Sequence, residues 1–348
     1  MRTISKPTTA KCTINIYMMY LLSDPMYTSC TRLSEILRDV SHDSINRFLG
    51  REKYNPKDMY DEVSPFIDKV GGVLSIDDSV LDKPYSDPKN VGFLSYFWSG
   101  KHHRALKGMN LITLFHTDKK QTKVPVNYRI YDKKEDKTKN DYYREMLEEV
   151  IEWGLQPQWI TGDAWYSSLK NLKHAQKLGL NFLFGIESNR LISEIKGKYV
   201  QVCSIENWPE DGKKMYLKDF GDVKIFKQTR KNVSRYYVMS DSKSSQLDQI
   251  GEFKFEHVHS QHWGIECFHR AIKQNCNIER FQVRTKECIN THIYCSLRAF
   301  IFLELLTMKK IIDNWYQLKR TLFLNVIRNF IKSEFYIKES NMLTFVNA

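Results

Sequence analysis

What the sequence has little of narrows its class first. Fifteen glycines and nine prolines among 348 residues are too few for a collagen-like repeat or a low-complexity chain. The seven cysteines (Cys12, Cys30, Cys203, Cys267, Cys276, Cys288 and Cys295) are odd in number and contain no Cys-x-x-Cys pair. They fit a reducing cytoplasm better than a disulfide framework or a zinc finger. Long apolar runs are missing too. Residues 293–308 form the most apolar stretch near the C-terminus, but that is about 16 residues where a membrane helix needs roughly 20, and it holds Arg298 and Glu304. Residues 14–22 follow Arg2, Lys6 and Lys11 as a signal peptide's core would. Ser23, Asp24 and Pro25 then replace its small-residue cleavage site, so the run reads as an N-terminal helix. No membrane partner is expected.

Acid is the scarcer charge. Against 53 Lys and Arg stand 41 Asp and Glu, a net charge of +12, and nucleic acid is the commonest partner of such an excess. At 42% hydrophobic and 27% charged, the composition is that of a globular chain long enough for two or three domains.

Along the chain, residues 1–70 read as helices. Leu33, Ile36 and Leu37 recur at helical spacing, residues 40–44 break the pattern, and a second short helix carries Ile45, Phe48 and Leu49 inward. This is the outline of a helix-turn-helix, with Asn46, Arg47 and Arg51 expected to face outward toward DNA. Residues 71–187 change character. Apolar and β-branched runs at 73–76, 109–116 and 124–131 read as strands, followed by a helix at 141–153 and a strand at 159–161. A helix at 169–178 and a strand at 181–186 complete the series. Three strands, then helix, strand, helix, strand, imply a mixed sheet covered by helices, the order of an RNase H-like core. Residues 188–258 hold short strands at 198–203, 215–217, 223–228 and 234–240, read as a β-rich insertion. From His262 the pattern is helical nearly to the end. The fold expected is therefore α/β: an RNase H-like mixed-sheet core (71–187 and 259–300), a β-rich insertion (188–258), and helical regions at 1–70 and 301–348.

Asp77 and Asp78 lie at the end of the first expected strand, Asp163 at the end of the fourth, and Glu266 on a helix after the insertion. Converging carboxylates suit hard cations such as Mg²⁺. Two such ions can activate a water or a 3′-hydroxyl on one side of a phosphodiester and stabilise the leaving oxygen on the other. His262, Glu266, His269 and Lys273 are spaced to share one helix face, opposite an apolar stripe of Ile265, Phe268 and Ile272.

Ile76-Asp77-Asp78-Ser79, Thr161-Gly162-Asp163 and the Glu266…Lys273 helix resemble the three motifs of DDE transposases from bacterial cut-and-paste insertion sequences. The resemblance is to the group with a β-strand insertion between the second Asp and the Glu, and it covers roughly residues 70–300. That group's third motif runs Tyr, two residues, Arg, three residues, Glu, six residues, Lys; here His259 and His262 stand for the Tyr and Arg. The resemblance implies that one of Asp77 and Asp78, with Asp163 and Glu266, holds two Mg²⁺ or Mn²⁺ ions. His259, His262 and Lys273 would contact DNA phosphates. It further implies transposon-end and target double-stranded DNA as partners, cleavage at terminal inverted repeats, joining of the 3′-hydroxyl to target DNA, and a homodimer in the synaptic complex. The alternatives are a nuclease of the same fold that does not join strands, and an inactive DNA-binding repressor derived from such an enzyme.

Two acid-free spans add to this. Lys89, Lys101, Arg104 and Lys107 are interleaved with Phe93, Tyr96, Phe97 and Trp98, and Lys224, Lys227, Arg230, Lys231 and Arg235 form the second span. Cations mixed with aromatics suit backbone contact plus base stacking. Trp165, two residues after Asp163, is a candidate to stack on a displaced base. The histidines at 257, 259, 262 and 269 lack the Cys partners of a zinc site.

Overall fold

Thr13, Ser29, Ser41 and Asn55 each accept a backbone N–H at a helix start. They open α1 (Ile14–Ser23), α2 (Cys30–Leu37), α3 (His42–Arg51) and α4 (Pro56–Val63). The computed structural model describes residues 11–26, 28–87, 91–99, 103–241, 244–334 and 336. Helix, turn, helix is present as expected at α2 and α3. α3 buries Ile45, Phe48 and Leu49 and leaves Asn46 and Arg47 exposed. Arg51, expected to face outward with them, is instead half-buried.

The strands are β1 (Val73–Asp82), β2 (Ser95–Ser99), β3 (Arg104–Thr117), β4 (Lys123–Ile130), β5 (Trp159–Gly162), β6 (Asn181–Ile186), β7 (Leu191–Ser193), β8 (Val200–Gln201), β9 (Lys213–Leu217), β10 (Gly221–Arg230) and β11 (Val233–Ser240). They form one mixed sheet in the order β2-β3-β1-β5-β6-β11-β10-β9-β7-β8, with β4 also on β3. The β1–β5 and β5–β6 pairs are parallel; the other pairs of named strands run antiparallel. The parallel pairs are made by crossovers through α5 (Lys139–Glu152) and α6 (Leu169–Lys177). β11 pairs with β6, so the small strands after residue 186 extend the central sheet.

The other helices are α7 (Glu252–Gln274), α8 (Lys286–Met308) and α9 (Gln317–Ile331). α7 turns Ile265, Phe268 and Ile272 into the sheet, the stripe expected from their spacing. The main core joins these to Leu74, Ile76, Leu114, Phe115 and Ile160, and reaches α8 through Ile293, Leu297 and Phe300. A second cluster packs Tyr17, Leu21, Ile45, Phe48 and Leu49 against Cys288 and Cys295 of α8. Among the described residues no helix is long and apolar enough to cross a membrane.

Three boundaries differ from expectation. β1 continues six residues past Ile76, so Asp77 and Asp78 stand mid-strand; polar residues there hid the strand's length. β2 occupies part of the first cationic span, with Phe97 buried and Tyr96 and Trp98 exposed. α7 starts at Glu252, inside the expected insertion, so Glu266 lies in mid-helix.

Candidate active site

The parallel register sets Ile76 of β1 beside Gly162 of β5. The next residue on each chain is a carboxylate, Asp77 and Asp163, so two acids emerge side by side where β5 ends. Close packing of the strands depends on Gly162. A Cβ there would meet Ile76 Cγ2 at 2.7 Å and Phe184 Cε1 at 2.8 Å, both too close. α7 crosses β1 and β5 and carries Glu266 and His269 over this point.

Asp77 and Asp78 point to different surroundings, as alternation along a strand requires. Asp77 Oδ2 lies 3.4 Å from His269 Nδ1, and its Oδ1 accepts from the Asp78 N–H at 2.7 Å. Burial pushes the Asp77 carboxyl up, but the hydrogen bond and charge of His269, with His262 and the Asp78 N–H, outweigh it and hold it below the usual carboxylate range. Asp78 is held elsewhere. Its Oδ1 accepts from Lys139 Nζ at 2.8 Å and Tyr166 Oη at 2.9 Å, and its Oδ2 from Asn110 Nδ2 at 2.5 Å. Both of its oxygens are occupied by protein.

Asp163 Oδ1 accepts from the Trp165 N–H at 3.0 Å. Crowding by protein, together with the like charges of Asp77 and Asp78, pushes its carboxyl up to about 7. Glu266 is likewise raised by its surroundings and by Asp77, against the pull of Arg235, His269 and Arg270. Hence three acids share a field that favours protonation of two of them, the condition a bound cation relieves. Among the described residues no group of three or more His, Cys, Asp or Glu side chains is drawn together closely enough to hold a metal ion. The donor chemistry nonetheless fits a hard divalent cation that fills its shell with water or substrate oxygens.

Two hollows adjoin Asp163. One, of about 320 Å³, is lined by Asp77, Asp78, Trp98, Lys139, Asp163 and Trp165. The other, of about 420 Å³, is lined by Asp163, Arg235, Tyr237, His259, His262 and Glu266. Trp165 is 61% exposed, with Lys139 Nζ 4.9 Å from its ring centre, so it is no core residue.

The expected phosphate contacts fare unevenly. His262 Nδ1 is paired with Thr161 Oγ1 at 2.8 Å, and burial lowers its pKa to about 4 despite Asp77. It is a neutral group and supplies no fixed charge. Lys273 Nζ is paired with Glu279 at 2.9 Å and donates to the Val80 carbonyl at 2.7 Å, so its ammonium is engaged within the fold. His259 packs on Phe255 and Tyr237, its ring 5.4 and 4.8 Å from theirs. Arg104 is exposed and Lys107 half-buried on β3. Lys101 lies outside the described residues.

Sequence reasoning missed His269 as the partner of Asp77, although its place three residues after Glu266 put it on the right face. It missed Lys139, for which no motif signals. It also left Arg235 apart from the acids; the β10–β11 hairpin brings Arg230, Lys231 and Arg235 to a hollow of about 530 Å³ shared with Trp263 and Glu266.

Comparison with known proteins follows the same residues. Residues 69–302, two thirds of the chain, match the family described as "Transposase DDE domain". The fold resembles that of piggyBac transposase in a synaptic complex with hairpin DNA, at a TM-score of 0.53 and 14% identity over 94% of this chain and 74% of that one. A Drosophila P element transposase in a strand transfer complex gives a TM-score of 0.28 and 12% identity, over 56% of this chain and 48% of that one. No curated protein sequence matches.

Proposed function

The chain belongs to the DDE-domain transposase family, and from that premise we propose that it is the DNA transposase of an insertion sequence. It binds terminal inverted repeats, cuts the DNA and joins the freed 3′-hydroxyl to target DNA. The observation that carries this reading is Asp77 beside Asp163 on neighbouring parallel strands, under Glu266 of α7. In this reading β1, β3, β4, β5 and β6 with α5, α6 and α7 form an RNase H-like core. The strands between β6 and Gly251 are the β insertion of that group, α2 and α3 read DNA, and two copies meet in the synaptic complex.

Asp77, Asp163 and Glu266 would hold two Mg²⁺ or Mn²⁺ ions, and Asp78 would not, since its oxygens are already engaged. Ions held there would supply activation of a water or 3′-hydroxyl and stabilisation of the leaving oxygen. The protein's part is positioning. His269 and the Asp78 N–H orient the Asp77 carboxylate, and the Trp165 N–H fixes that of Asp163. Trp165 borders the same hollow as an exposed ring for a base, with Lys139, tied to Asp78, beneath it. Arg235 and Arg270 are close enough to Glu266 to pull its pKa down, and in this reading their positive charge would favour a phosphodiester beside it.

An Mg²⁺-dependent assay on DNA carrying the element's inverted repeats tests the proposal. Nicked and joined products are expected. Nicking without joining favours the nuclease, and binding without nicking favours the repressor. Asp163→Asn should abolish cleavage and leave DNA binding largely intact, because it removes an acid and no phosphate contact. A parallel fall in binding would mark a folding role instead.

A further inference from the structure

Beside the carboxylate hollow, and sharing Asp82 and Glu279 with it, lies a second cavity of about 650 Å³. Its walls are the turn after β1, from Lys83 to Ser86, and the connection between α7 and α8, from Glu279 to Arg284. Lys83 is only 7% exposed. Its Nζ donates to the Phe281 carbonyl and sits 3.5 Å from the centre of the Phe281 ring. Among the described residues no carboxylate is ion-paired with it. Burial, and then the neighbouring Arg284 guanidinium, lower its pKa to about 8. Lys83 and Arg284 thus line a walled space with Arg280, against the two acids Asp82 and Glu279. Glu279 is already paired with Lys273, and the buried ammonium keeps no carboxylate partner among the described residues, an arrangement that an anion stabilises. The floor is firm: the 280–281 backbone pairs with Thr28, and Arg280 is tied to the Pro25 carbonyl at 2.6 Å.

We propose that Lys83 and Arg284 bind one phosphate of the DNA strand as it continues past the carboxylates. The cavity's continuity with the carboxylate hollow favours a strand over a free ion. So does Tyr85, 94% exposed at the rim, which offers a ring on which a base can stack. This inference rests on the proposed function, since it needs DNA at the carboxylates.

The test is the salt dependence of binding to a short DNA duplex, measured without divalent metal for the full chain. The variants are Lys83→Met, Arg284→Gln and the two combined. One lost phosphate contact should flatten the log–log slope of the double variant by about 0.9. Because both groups hold one phosphate, the two single changes should sum to more than the double. Arg284→Gln changes only an exposed side chain, so it remains a valid probe if Lys83→Met unfolds. An unchanged slope for Arg284→Gln and for a folded double variant, with normal wild-type binding, overturns the site. If inorganic phosphate raises the wild-type melting temperature and not the double variant's, while the slopes agree, the cavity serves a free anion and the DNA assignment falls. A wild-type chain with no salt-dependent DNA binding would sink the proposed function and this site together.

Discussion

Asp77 and Asp78 are neighbours in sequence and strangers in environment. One meets His269 of α7; the other is enclosed by Lys139, Tyr166 and Asn110. Asp78→Asn should therefore lower the melting temperature, because it weakens a charge-assisted cluster. Asp77→Asn should lower it too, since His269 and the Asp78 N–H stabilise that carboxylate in the folded state, and should in addition remove cleavage. Cleavage that survives Asp77→Asn would take Asp77 out of the site. The raised Asp163 carboxyl gives a pH prediction. Its native pKa of about 7 exceeds the unfolded value near 3.9, so the native state binds the proton more tightly. Stability from this group is present below about pH 4 and is lost as pH rises toward 7. In metal-free protein, Asp163→Asn should flatten that decline in a melting series, and Mg²⁺ should stabilise wild type more at pH 8 than at pH 5. His262 is paired with Thr161 and neutral. Forcing a permanent guanidinium there should cost roughly 1–3 kcal/mol, so His262→Arg should melt lower than His262→Gln. The sequence put His262 on the correct helix face. It could not tell which way the ring would bond, because that depends on Thr161, 101 residues away.

At the scale of elements, legibility followed hydrophobic pattern. β3, β4, β5 and β6, all largely buried, were readable from their apolar runs. The stretch from Asp77 to Val80 was not readable as strand, since it is polar where the site lies. The first turns of α7 were hidden because Glu252-Phe253-Lys254-Phe255-Glu256 alternates like a strand, yet Phe255 is buried and Phe253 is 87% exposed on a helix. Gly162 stands where β1, β5 and β6 press together, and Ile76 and Phe184 leave no room for a methyl group. Gly162→Ala should destabilise by about 1–3 kcal/mol, read from the urea midpoint, and should reduce cleavage by moving Asp163. Unaltered stability would mean that the strands separate easily and the close packing is incidental.

For the whole molecule, the excess of +12 predicts DNA affinity that falls steeply with salt, about 0.9 in log–log slope per phosphate engaged. A flat response would remove DNA as the partner. The composition alone carried that expectation. It could not reveal that the second basic span folds back to Glu266, because that approach is made by sheet pairing between β6 and β11. The packing of the first helices on α8 has a consequence in time. Tyr17 and His292, which hydrogen-bond at 2.9 Å, are 275 residues apart. At about 5–20 residues per second, a ribosome makes the later partner roughly 14–55 s after the earlier one. Through that interval the apolar sides of α1 and α3 have no α8 to rest on. A chain truncated before residue 286 would therefore keep the first helices but lack the α8 surface on which their apolar sides pack.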